Sequence, residues 1–369
     1  MNGRPIRVLE VAGSPAEMGG AHGNRFAREV REYTDDRVAR SAHGTTLDRA
    51  EVVALAERML PAHEAYDPAL YAEMVAMAEA AAITPAEAVI VGGFTDFIDA
   101  VRAKAGGDLV EDACTAVVVP DDATDGGGFL AQTWDMHATA TPRIVMLDVR
   151  PDGGPHALVF TTVGTLGQIG MNEVGIAVGI NNLTAHDGRV GVTWPFVVRK
   201  ALRQTTFDEA VRCVLDARLA GGHNFLIMAA DGRGVSIEAM PTVTHIAELG
   251  AEPLVHTNHC LAAATRAVEG KRPRALQNSS VDRLVHAPEL VAERPVTAET
   301  LMAMTRDERS ICRRPDPPFD YESCGAAVMR PATGDFWACW GLPSENEYEH
   351  FHVAQTGRTS AWASSGTST

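Results

Sequence analysis

The chain has 369 residues, 46% of them hydrophobic and 22% charged, an ordinary globular composition with ample material for a core. A formal net charge of -16, with no lysine or arginine run to create a local basic patch, argues against a nucleic-acid partner. No stretch reaches the roughly 18 to 20 apolar residues of a membrane span, and the N-terminus, Met1-Asn2-Gly3-Arg4-Pro5-Ile6-Arg7, has no apolar run of signal-peptide length. A cytoplasmic location without membrane association is therefore expected. Cysteines at 114, 213, 260, 312, 324 and 339 include no CxxC pair, so reduced thiols are expected rather than a disulfide framework or a structural zinc site.

Residues 14 to 104 read as helical. Ser14-Pro15-Ala16-Glu17 is an N-cap with proline in the first turn, residues 47 to 82 carry apolar side chains at helical spacing, and Thr84-Pro85-Ala86-Glu87 is a capping box. After Gly106-Gly107 the pattern changes to strand, turn, strand over 116–120, 129–135, 144–149, 157–162 and 175–181, punctuated by Asp-Gly and Gly-Gly turns. Helix is expected again from about 195 to 219, followed by a hairpin around Asp231-Gly232 and another around Gly334-Asp335. The tail from Gln355, rich in serine, threonine and glycine, is expected to be disordered. Two antiparallel sheets with helices outside define an α+β protein, a four-layer αββα sandwich with an N-terminal helical segment. No GxGxxG fingerprint competes for a doubly wound sheet.

The chemistry centres on Cys114, where the acidic segment Glu111-Asp112-Ala113 ends and a valine-rich strand begins. A hairpin through Gly126-Gly127-Gly128 returns Gln132-Thr133-Trp134-Asp135, which brings a carboxylate back beside the thiol. A thiol titrates near ~8.5 and an α-amine near ~7.7 to 8.0, so a Cys114 freed at its own nitrogen would carry its general base with it. That requires the chain to cut itself between Ala113 and Cys114. A papain-like pairing with a distant histidine would instead need Cys114 to begin a helix, against the β-branched run that follows. His256, His259 and Cys260 lie close in sequence but would point to opposite faces of a strand, with no fourth ligand nearby, so no metal is expected.

The order of Asp112-Ala113-Cys114-Thr115, Gln132-Thr133-Trp134-Asp135, Gly170-Met171-Asn172-Glu173-Val174-Gly175, His256-Thr257-Asn258-His259 and Ser310-Ile311-Cys312-Arg313 resembles the acyl-coenzyme A:6-aminopenicillanate acyltransferase (isopenicillin N acyltransferase) family. The segment Gly13-Ser14-Pro15 to Gly19 resembles that family's leader. The resemblance covers nearly the whole chain. It implies the Ntn-hydrolase fold and an autoproteolytic cysteine enzyme that acts on amides or thioesters, as acyltransferase or amidohydrolase. It implies Cys114 as nucleophile and Asp135 as the carboxylate that orients its α-amine. It also implies Asn258 as an oxyanion-hole donor and Arg313 as a fixed positive charge near the thiol. Asn181 matches an asparagine of the related bile-salt-hydrolase and penicillin-V-acylase branch, with Asn182 beside it as an equal candidate.

Gln132, Thr133 and Trp134 would border the acyl pocket. Gln132 stands where that branch has arginine, Thr133 where asparagine is common, and Ala113 where glycine usually precedes the nucleophile. No cofactor is implied, although acyl-coenzyme A is a candidate substrate beside a small-molecule amide. Residues 1–113 would form an α fragment that stays bound to the fragment starting at 114, whose sandwich runs to 354. A homo-oligomer is left open. The other reading is an uncleaved, non-catalytic protein that binds a small acyl ligand in the same pocket.

Overall fold

The computed structural model describes residues 4–106, 114–316 and 320–354, so Ala113 and the tail from Gln355 lie outside the described residues. Strand β1 (Val8–Gly13) precedes helices α1 (Pro15–Ala42), α2 (Arg49–Glu57), α3 (Leu60–Tyr66), α4 (Pro68–Ala81), α5 (Pro85–Gly92) and α6 (Phe94–Ala105). Then come β2 (Thr115–Val119), β3 (Phe129–His137), β4 (Ile144–Pro151), β5 (Ala157–Thr162), β6 (Ile169–Asn172) and β7 (Ile176–Leu183). Helices α7 (Trp194–Ala201) and α8 (Phe207–Leu215) lead into β8 (Gly222–Ala229), β9 (Gly234–Ala239), β10 (Thr244–Glu248) and β11 (Leu254–His256). The chain closes with α9 (Ala263–Arg266), α10 (Arg274–Leu290), α11 (Ala298–Thr305), β12 (Tyr321–Arg330), β13 (Asp335–Trp340) and β14 (Tyr348–His352).

The strands form one sheet in the order β1-β4-β5-β6-β7-β8-β9-β10 and another in the order β11-β2-β3-β12-β13-β14. Alternation along each strand separates three cores. Ala116, Val118, Leu130 and Trp134 of the second sheet meet Met146, Phe160, Ala177 and Leu226 of the first, which places the two sheets face to face. The other face of the first sheet, with Val145, Val178, Phe225 and Ile237, packs on the helices from α1 to α8. The outer face of the second sheet, with Val117, Val119, Phe129 and Ala131, packs on Ala287, Leu301 and Met304 of α10 and α11. The architecture is the αββα sandwich expected.

The N-terminal region differs from expectation in one respect. It is not all helix, because β1 joins the first sheet as a parallel edge strand beside β4, with Val8 opposite Met146. The expected helix over 195–219 is two helices, and 47–82 is three. The capping boxes at Ser14 and Thr84 are present, with Glu17 and Glu87 reaching back to the cap nitrogens. Helix α1 lies so close on α4 that a Cβ on Gly19 would stand 2.0 Å from the Glu73 carbonyl oxygen.

Residues before and after position 114 share one fold. Trp194 N–H donates to Asp96 Oδ2 at 2.7 Å, and the N–H groups of Ala185 and Gly222 donate to Asp99 Oδ2 at 2.9 and 3.1 Å. These contacts, with the common core, would hold two fragments together after a cut at 113/114. No single helix among the described residues is long and apolar enough to cross a membrane.

Candidate active site

Cys114 is fully buried just ahead of β2 and belongs to the core between the sheets, on the face of Ala116 and Val118. The alternation that puts it there also turns Thr115 to the opposite face, toward α10. In the β2–β3 ladder Thr115 is opposite Thr133, so one further step places Trp134 across from Cys114. Thr133 uses its hydroxyl to accept the Thr115 N–H at 3.2 Å. Gln132 is a clip between the sheets: its Nε2 donates to the Ile180 carbonyl at 2.5 Å and its Oε1 accepts the Ile180 N–H at 2.8 Å. Gly179 makes room for it, since a Cβ there would lie 2.7 Å from Gln132 Oε1. Of the three residues expected at the acyl pocket, Trp134 lines a cavity, and the Gln132 amide is engaged by the Ile180 backbone.

Asp135 is fully buried and accepts the Ser323 hydroxyl at 2.7 Å. Ser323 in turn is tied to the Arg313 backbone, accepting its N–H at 2.8 Å and donating its own N–H to the Arg313 carbonyl at 2.9 Å. A register shift between Ser323 and Gly325, opposite Asp135 and Trp134, lets β12 bend at this point. Asp135 and Arg313, far apart in sequence, are thus joined through one serine. The Arg313 guanidinium lies over the Tyr321 ring at 5.9 Å, and its buried Nη1 has no hydrogen-bond partner among the described residues.

Asn258 follows the end of β11 and is fully buried. Its Oδ1 accepts from Arg283 Nη2 at 3.0 Å, and its Nδ2 donates to the Asn182 carbonyl at 3.1 Å. A guanidinium only donates, so the amide atom facing it must be oxygen, which fixes the orientation of Asn258 without ambiguity. Nδ2 keeps one further N–H. Arg283 also donates through Nη1 to the Cys114 carbonyl at 2.5 Å and to Thr115 Oγ1 at 3.0 Å. One buried guanidinium from α10 therefore spans the strand bearing the thiol and the loop bearing the amide. Sequence reasoning passed over it. The available signal was a polar pair, Ser280 and Arg283, in the stripe of α10 that buries Leu276 and Ala287.

Asn181 and Asn182 are separated by the pleat. Asn181 Oδ1 accepts from Asn224 Nδ2 at 3.3 Å, Ser236 donates to Asn224 Oδ1 at 2.8 Å, and Asn181 Nδ2 is buried without a hydrogen-bond partner among the described residues. On β7, Ile180 belongs to the helix-facing core and Ala177 to the core between the sheets. Period two therefore sends Asn181 toward the thiol's side and Asn182 away from it. Asn181 offers the donor; Asn182 contributes its carbonyl to Asn258.

The loop carrying Asn258 is anchored at Glu238. This carboxylate accepts from His256 Nε2 at 3.0 Å, from the Leu261 N–H at 2.5 Å, and from the Thr265 hydroxyl. Burial alone would raise the Glu238 carboxyl, but these hydrogen bonds outweigh it and hold it down at about 2. His259 turns elsewhere, 2.7 Å from Ser280 Oγ, and burial pushes its imidazole down to about 4. The strand ends at His256, so the imidazoles diverge because of the loop and not because of strand alternation.

A depressed carboxyl stabilises the fold above its unfolded value near ~4.3, and that contribution is lost as pH falls through about 2. Glu238→Gln should cost about 1 to 3 kcal/mol at pH 7, because the amide puts a donor against donors. The difference from the parent protein should shrink as pH falls from about 4 toward 2, measured by denaturant unfolding.

A buried strand-head thiol, amide donors and a tethered carboxylate, set in an αββα sandwich, define a candidate acyl-handling centre. A model of the acyl-coenzyme A:6-aminopenicillanic acid acyl-transferase family matches residues 122–345, and the chain belongs to that family. The match includes Asp135, Asn181, Asn258 and Arg313 and begins after Cys114. Acyl-coenzyme A:6-aminopenicillanic-acid-acyltransferase 40 kDa form of Emericella nidulans is 26% identical over 310 residues, covering 82% of this chain and 83% of that protein. Among solved structures, a mutant of conjugated bile acid hydrolase from Clostridium perfringens matches with a TM-score of 0.45 and 8% identity, over 66% of this chain and 98% of that one. Penicillin V acylase from Agrobacterium tumefaciens matches with a TM-score of 0.39 and 12% identity, over 65% of this chain and 86% of that one.

Proposed function

We propose that the protein is a self-processing cysteine acyltransferase or amidohydrolase that works through an acyl-Cys114 intermediate. The observation that carries the reading is the span of Arg283, which joins the Cys114 carbonyl to the Asn258 amide and so sets a donor at a fixed place relative to the thiol. In the precursor, Cys114 Sγ attacks the Ala113 carbonyl carbon, and the C–N bond breaks as the nitrogen takes a proton. The resulting thioester is hydrolysed by water, which frees residues 1–113 and leaves Cys114 with an α-amine. Asp135, held by Ser323, stabilises the protonated form of that amine.

In turnover the amine removes the thiol proton and the thiolate attacks an amide or thioester carbonyl. Asn258 Nδ2 and Asn181 Nδ2 are the side-chain donors for the oxyanion, and the ammonium returns its proton to the leaving group. Water or an amine then resolves the acyl-enzyme. Arg313 adds positive charge on the Asp135 side. A small-molecule amide or an acyl-coenzyme A thioester supplies the acyl group, and the steps as written call on no metal or cofactor.

The test is intact-mass analysis of purified protein. Fragments 1–113 and 114–369 that co-purify and separate only on denaturation are expected. A single uncut chain that turns over acyl donors would contradict the self-processing step.

A further inference from the structure

Asp99 belongs to α6, ahead of the proposed cut, yet its carboxylate ends on backbone that lies after it. The residue is 3% exposed. Its Oδ2 accepts the Ala185 N–H at 2.9 Å and the Gly222 N–H at 3.1 Å, while its Oδ1 accepts from Arg102 Nη1 at 2.7 Å. Arg102, one turn further along α6, fixes which oxygen faces the strands. Two glycines let the helix approach this closely. A Cβ on Gly188 would stand 2.3 Å from the Asp99 carbonyl oxygen, and one on Gly221 would stand 2.9 Å from Asp99 Oδ2.

The two N–H groups mark the open end of one strand pair. In the β7–β8 ladder Leu183 faces Gly222, with Asn182 opposite His223 and Asn181 opposite Asn224. One carboxylate oxygen therefore closes this ladder next to the two asparagines, and from there two routes lead to Asn258. Along β7, the Asn182 carbonyl accepts from Asn258 Nδ2 at 3.1 Å. Beyond β7, Ala185 bridges to Glu269, with the Gly270 N–H on the Thr184 carbonyl at 2.7 Å and the His186 N–H on the Val268 carbonyl at 3.0 Å. Glu269 Oε1 in turn accepts the Cys260 N–H at 3.0 Å, two residues past Asn258. Asp99 thus braces both the acceptor that faces the Asn258 amide and the loop that carries it.

We propose that Asp99 is a positioning residue for the oxyanion donor Asn258, supplied by the part of the chain that self-processing separates from the nucleophile. The proposal rests on the reading of Cys114 as nucleophile. Asp99 acts through backbone, because a buried carboxylate that takes two N–H groups fixes where the ends of β7 and β8 sit. An oxyanion donor works only if it is aimed before the reaction, and a displacement of about 1 Å can cost on the order of 10²-fold in rate. The 1–113 fragment is then a working part of the centre.

The experiment measures thioester turnover by processed protein with acetyl-, butyryl- and octanoyl-coenzyme A. Rates are expressed per Cys114 that forms an acyl adduct by mass spectrometry, so misfolded protein does not count. The assays are run at pH 8, above the value of about 7 to which burial lifts the Asp99 carboxyl. Asp99→Ala should lower kcat about 10- to 100-fold and leave KM within about threefold. Asp99→Asn keeps an acceptor for both N–H groups and should recover most of that loss. In an Asn258→Ala background, adding Asp99→Ala should cost less than about threefold more, because the donor being aimed is gone. Asp99→Ser runs the same cycle where Asp99→Ala gives too little processed protein.

A parent-like kcat in Asp99→Ala, an equal loss in Asp99→Asn, or losses from Asp99→Ala and Asn258→Ala that multiply would each overturn the proposal and leave the nucleophile in place. Failure of both Asp99→Ala and Asp99→Ser to give processed protein would assign Asp99 to folding alone and overturn it as well. Absence of any adduct at Cys114 of the parent with all three donors would remove the nucleophile reading and the proposal together.

Discussion

Cys114→Ala should yield a single uncut chain with no measurable acyl turnover, a loss on the order of 10⁴- to 10⁶-fold as for other covalent nucleophiles. Three functions are removed at once: the sulfur that attacks the preceding carbonyl, the sulfur that carries the acyl group, and the α-amine that appears only after cleavage. The fold should survive, because the substitution deletes one buried atom from a core of more than one element, at a cost of about 1 kcal/mol. The other cysteines are poor substitutes. Cys213, Cys260, Cys312, Cys324 and Cys339 are buried, and burial pushes their thiols upward, to about 11 for Cys213 and about 12 for Cys339. Residual turnover in Cys114→Ala would have to come from elsewhere in the chain, and the mechanism would be wrong.

The second large effect concerns Arg283. Asn258→Ala should lower kcat by ~10²- to 10³-fold, the usual consequence of losing an oxyanion donor. Arg283→Met should approach the same loss, since without the guanidinium the Asn258 oxygen loses its anchor and the amide is held at its nitrogen by the Asn182 carbonyl. Coupling decides whether this is the cause. If Arg283 acts through Asn258, adding Arg283→Met to Asn258→Ala should cost less than about threefold more, whereas independent effects multiply. Arg283→Met will also lower stability, because it leaves the Cys114 carbonyl and the Asn258 oxygen without this donor. The double-mutant cycle on kcat separates that loss from the catalytic one.

Local chemistry was readable from sequence, and pairing over long distance was not. The caps at Ser14 and Thr84 and the hairpins at Asp231-Gly232 and Gly334-Asp335 are written in adjacent residues, and all four form. Strand β1 was missed because six residues with an exposed face acquire strand character only from β4. Strand β6 was missed because four residues containing a glycine and an asparagine look like a turn until β5 and β7 flank them.

At the site, residue identities came from ordered motifs, but their division of labour came from three dimensions. Gln132 clips Ile180, the pleat separates Asn181 from Asn182, and Ser323 and Arg283 had no motif to announce them. A lone arginine on a helix reads as surface. Here it is 1% exposed.

The most direct test of the central claim is to trap the acyl-enzyme from purified, active protein with an acyl thioester, digest it, and map the adduct. The account predicts one acylated peptide, beginning with Cys114 as a new chain terminus and carrying the acyl group on its sulfur. An adduct on any other residue, or active protein in which Cys114 is still preceded by Ala113, would contradict it.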